Sequence, residues 1–165
     1  MKTLAFTLGA LSFAAFSVLP AQAEAVRTER NMSLELASQL AAATVAACSA
    51  NGHNVSAAVV DRAGTLRALL RADNAGSHTM ESARLKAYTS ASAKNTTLAI
   101  MEGSQKNPGA ANLGQIPGFL LLGGGVPVKL GNEVIGAVGV AGAPGGHLDE
   151  QCAMAGLEKI ASLLK

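Results

Sequence analysis

Apolar and polar positions recur along this chain with two different periods. Between Leu34 and Ala50, Leu36, Leu40, Ala43 and Ala47 fall at helical spacing and give one apolar face. Ser33 is placed to cap this helix, Glu35 stands in its favourable first turn, and Gly52 lies just past its end. From Asn54 to Asp61 the period becomes two, with Val55, Ala57 and Val59 on one side. Arg62-Ala63-Gly64 turns the chain and Thr65 to Leu70 returns, so a helix followed by an antiparallel hairpin is expected. Arg71 to His78 is polar and reads as a loop. Ser77 or Thr79 can cap the next helix, Met80 to Ala93, where Glu81 suits the N-terminal dipole. Thr96 to Glu102 reads as a further short helix, and Gly103 to Pro117 as a loop of the kind that lines sites.

The stretch from Phe119 to Glu150 organises the rest. Val126, Val128 and Leu130 lie in one arm, and Val134, Ile135, Val138 and Val140 in the other. Gly131-Asn132 joins them, a Gly-X pair that suits a type II′ turn because glycine accepts the positive φ needed first. Gly136 and Gly139 leave out side chains within the second arm, which marks a bulge or a surface that something approaches closely. Leu148 to Leu164 closes the chain as a helix, with acids first and Lys159 late, in the order the helix dipole favours. Local hairpins rather than crossovers imply an α+β domain: a mostly antiparallel sheet of two strands plus two or three more, overlaid by helices.

Composition narrows the classes. The first residues are basic, Leu4 to Leu19 is almost wholly apolar, and Ala21-Gln22-Ala23 matches a cleavage pattern, so residues 1–23 are expected to be a signal peptide and 24–165 a single exported domain, periplasmic or extracellular. The apolar run is short for a membrane span, and no cysteine follows it to carry a lipid. The formal net charge of the whole chain is +2, with acids and bases interspersed, which points away from nucleic acid and from an anionic membrane surface. Tryptophan is absent and aromatic residues make up 3%, too few for a stacking platform. Cys48 and Cys152 fall on the first and last helices, where they either form a disulfide tying the ends together or lie as two buried thiols.

The chain resembles the GlcG/HbpS family of haem-binding-like proteins over nearly all of residues 24–165. The resemblance is carried by Val59-Val60-Asp61 with Gly64, by Lys86-Ala87, and by Gly124-Gly125-Val126-Pro127. Ile135-Gly136-Ala137-Val138-Gly139-Val140, then Asp149-Glu150 with Ala153 and Gly156, complete it. It implies a profilin-like α/β/α sandwich, here with five strands, assembling into homo-oligomers. One branch of the family is extracellular, binds haem and is linked to redox sensing or haem breakdown; another sits among glycolate-utilisation genes. The resemblance guides fold better than function.

Haem needs an apolar slot, an axial donor to iron and donors for its propionates. His78, opening the middle helix, and His147, between the second hairpin and the last helix, are the axial candidates; His53 reads as a cap or an exposed side chain. Lys86 could reach a ligand carboxylate. Gly145 and Gly146 precede a helix N-terminus that can bind an anion, although Asp149 competes for the same N–H groups. Gly124 and Gly125 lack the Lys-Ser/Thr ending of a phosphate loop and read as close-packing residues. No nucleophile–His–acid set is visible, so catalytic residues are not assigned beyond a possible haem-degrading activity. Three functions follow: an exported haem-binding protein that stores, senses or slowly degrades haem; an enzyme or accessory protein for a small hydroxy or keto acid; or a structural oligomer without ligand.

Overall fold

A computed structural model describes residues 25–165. The expected signal peptide lies outside the described residues. Helix α1 spans Leu34–Ala50, with the Ser33 side chain accepting from Leu36 N and Asn51 closing the other end. The hairpin β1 (Ser56–Asp61) and β2 (Leu66–Arg71) follows, then α2 (His78–Ala93) and α3 (Thr97–Lys106), the last capped by Thr96. Two short 3₁₀ turns, Pro108–Ala110 and Leu113–Gln115, occupy part of the expected loop. The second hairpin is β3 (Gly125–Leu130) and β4 (Glu133–Ala141), and α4 (Gly146–Lys159) ends the regular structure before a 3₁₀ turn at Ala161–Leu163.

The sheet has four strands in the order β2-β1-β4-β3, every neighbouring pair antiparallel. The expectation of five strands is corrected. The apolar run Phe119 to Leu122 forms none, because its hydrogen bonds go elsewhere: Leu120 N donates to Thr89 Oγ1, and the Leu122 carbonyl accepts from Thr97 Oγ1. Phe119 instead packs edge-on against Tyr88, with ring centroids 6.3 Å apart. An apolar run alone does not distinguish pairing with a strand from covering a helix.

Three layers result. Val59, Val126, Val128, Val138 and Val140 turn to one face and meet Leu40, Ala41, Ala153 and Ile160 of α1, α4 and the chain's end. Ala58, Val60, Ala137 and Ala141 turn to the other, where they meet Ala83, Ala87 and Ala91 of α2. The small side chains let α2 lie low on the sheet: a Cβ at Gly139 would overlap the backbone at Ala83 O and Ala87 N. Pro127 sits in β3, an edge strand, where a missing N–H costs no ladder bond. On the opposite face Cys48 and Cys152 form a disulfide between α1 and α4, with Cα atoms 5.2 Å apart. Among the described residues no helix is long and apolar enough to cross a membrane.

Candidate functional site at the end of the second hairpin

Gly124, Gly125, Gly145 and Gly146, four of the glycines singled out in the sequence, lie at one end of the sheet. There the β3–β4 ladder runs out at Gly124, whose φ of +123° turns the chain away. Val140 N still donates to the Gly124 carbonyl, but the Val140 carbonyl finds no strand partner. Lys86 of α2 supplies one: its Nζ lies 2.9 Å from that oxygen. A side chain at Gly124 would displace this contact, since a Cβ would stand 2.6 Å from Val140 O and 3.0 Å from Lys86 Nζ. Gly125 is held by its N–H, which donates to Thr97 Oγ1 at 2.8 Å.

The same Lys86 ammonium donates to Asp149 Oδ2 at 2.8 Å. Both side chains are almost wholly withdrawn from solvent, 4% and 5% exposed. The other oxygen of Asp149 accepts from Ala143 N, which ties the turn Gly142–Gly145 to the first turn of α4. Burial pushes the Asp149 carboxyl above its ordinary range, opposed by the Lys86 bond and charge, the Ala143 N–H and the nearby His53. One residue on, Glu150 is half-buried. Its Oε2 is enclosed without a hydrogen bond of good geometry, although the Thr96 hydroxyl and the N–H groups of Leu98 and Gly124 lie close by. Burial again raises this carboxyl, and those three donors hold it back.

Lys86, Gly124, Gly125 and Gly146 therefore meet, with Gly146 backed against Gly123. Gly145 stands at the N-cap of α4 and accepts from Leu148 and Asp149 through its carbonyl. The helix start thus carries Asp149 as a tie to the preceding turn. Lys86, expected to reach toward a ligand carboxylate, is engaged by Asp149 and Val140. His78 and His147 are both exposed in the first turns of α2 and α4, each ring lying near the glycine two residues before it, Gly76 and Gly145. Neither lines the clefts described here. His53 lines a cleft of about 250 Å³ with Asn51, Leu148, Gln151 and Cys152. A cleft of about 450 Å³ opens at the turn of the second hairpin, lined by Arg30, Arg62, Lys94 and residues 130–134. Among the described residues no group of three or more His, Cys, Asp or Glu is placed to hold a metal ion.

A family model described as "Haem degrading protein HbpS-like" matches residues 32–158. The chain belongs to the HbpS-like family. The crystal structure of HbpS is 39% identical, with a TM-score of 0.78, covering 86% of this chain and 99% of that one. Protein ORFY of Klebsiella pneumoniae is 27% identical with a TM-score of 0.81, over 86% of this chain and 99% of its own. The structure of PduOC, a complex with haem, shares 24% identity and a TM-score of 0.65 over 73% of this chain and 88% of that one, and shows the fold. Comparison with curated proteins gave no match.

Sequence reasoning missed the partner of Lys86, which lies 63 residues away. One signal was present. Ala83, Lys86, Ala87 and Ser90 fall at positions i, i+3, i+4 and i+7 of α2, so Lys86 stands on the buried face and needs a buried partner. The cationic cleft was also missed, since its walls come from four separate parts of the chain.

Proposed function

We propose that this protein binds haem on its open surface, as an exported homo-oligomer, and stores, senses or slowly degrades it. The observation that carries the reading is membership of the HbpS-like family together with 39% identity to HbpS over 99% of that chain. A haem enclosed within one chain does not fit the residues present. The cleft with cations for propionates has no histidine in its lining, and the cleft with His53 is small for a macrocycle. An exposed nitrogen at His78 or His147 does fit a haem held at the surface. Bound haem supplies the redox chemistry; the chain's part is to hold it.

The Cys48–Cys152 disulfide supports an oxidising compartment. Edge strand β2, with Leu66 and Leu70 exposed at 42% and 43%, supports association between copies. Haemin titrated into the protein lacking residues 1–23 tests the reading. A Soret band saturating at a stoichiometric ratio is expected, altered by His78→Ala or His147→Ala. Absence of any saturable spectral change would overturn it.

A further inference from the structure

The cleft of about 450 Å³ at the turn of the second hairpin contains neither histidine assigned to haem. Arg30 comes from the segment before α1, Arg62 from the turn of the first hairpin, and Lys94 from the residue just past α2; Leu130 to Val134 form the remaining wall. Three cations thus stand with one carboxylate, Glu133, in the lining, and Glu29 adds a second beside Arg62. Glu133 accepts from Arg62 Nη1 and stands 3.8 Å from Arg30 Nε, while Glu29 lies 3.6 Å from Arg62 Nε. These pairs orient the guanidinium groups without exhausting them. A guanidinium has five N–H donors, and among the described residues Arg62 Nη2 and the terminal nitrogens of Arg30 have no acceptor.

Two details show how the cleft is fixed. Asn31 Oδ1 accepts from both Met32 N and Arg62 N, which pins the segment bearing Arg30 to the turn bearing Arg62. Lys94 is the single non-glycine residue with positive φ among the described residues, at 55°. Glycine or asparagine takes that conformation more readily. A cation favourable to the helix dipole could have stood in the last turn of α2 without strain, and none does. Lys94 makes no ion pair among the described residues and belongs to the lining of the cleft.

We propose that this cleft binds a small molecule through an oxyanion, carboxylate or phosphate. Lys94 and the free guanidinium N–H groups of Arg62 and Arg30 act as donors, and Leu130 and Val134 lie beside it as the apolar wall. The site stands apart from haem binding, so either can fail without the other. Isothermal titration of the protein lacking residues 1–23 with succinate and with inorganic phosphate, against sodium chloride at matched ionic strength, tests it and distinguishes the two chemistries. Saturable binding of at least one oxyanion is expected. Lys94→Asn, which suits the left-handed backbone, is expected to weaken it about tenfold, and Lys94→Arg to keep it within about threefold. No saturable heat beyond chloride with either anion, or unchanged affinity in Lys94→Asn, would overturn the assignment.

Discussion

Lys86 Nζ stands 2.8 Å from Asp149 Oδ2, joining α2 to the start of α4 around the end of the sheet. Neither charge has water to turn to, so each depends on the other. Lys86→Ala leaves Asp149 buried and unpaired, and a loss of about 3–5 kcal/mol is expected. The double variant Lys86→Met/Asp149→Leu, apolar at both positions, is expected to recover much of that loss. Urea unfolding of the three proteins checks this; a single variant as stable as the parent would contradict the pairing.

Acidity acts on the neighbouring carboxylate in a direction opposite to the usual one. Glu150 is held above its ordinary value, chiefly by burial, and Asp149 is pushed the same way. A folded carboxyl with a raised pKa keeps its proton longer than the unfolded chain does. Stability from these groups therefore falls as pH climbs from about 4, the unfolded value, through the raised folded value. Glu81 works the other way, held low by its bond to Arg84, but that pair is exposed and weak. Glu150→Gln is expected to flatten the decline and to gain a few tenths of a kcal/mol at neutral pH after solvent screening. Thermal melts across pH read this, and a less stable glutamine variant at neutral pH would refute it.

At Lys94 the backbone is strained for a side chain, with φ 55° and ψ 30°. Lys94→Gly is expected to stabilise the protein by about 1 kcal/mol, because glycine closes a helix in this conformation without the Cβ penalty. Chemical denaturation measures it. A variant no more stable than the parent would show that the left-handed backbone at this position costs the folded protein nothing.

The disulfide between α1 and α4 closes a loop with 104 residues of sequence separation. Its reduction, or Cys48→Ser/Cys152→Ser, is expected to cost about 2–5 kcal/mol. Melting with and without reductant checks this, and an unchanged midpoint would show that packing alone holds the two helices.

Much of this fold was legible because its signals are local. Ser33 and Gly52 bracket α1, and the turn at Gly131-Asn132 joins β3 to β4 as the sequence indicated. The sequence places Thr96 first in a short helix, whereas it is the cap, and α3 runs on to Lys106 in spite of Gly103. What failed to show was long-range. Phe119 to Leu122 carries the hydrophobicity of a strand, but its destination is set by Thr89 and Thr97. The glycines of the site were visible as a group, whereas the atoms they admit, Lys86 Nζ and the backbone of α2, belong to a distant segment.

The covalent link between α1 and α4 also governs what a protease can do to this molecule. A single cut in the polar segment between Lys106 and Pro117 falls between the two cysteines. The resulting pieces would migrate together until a thiol reagent released them, so an intact band on a non-reducing gel says nothing about whether the backbone is whole.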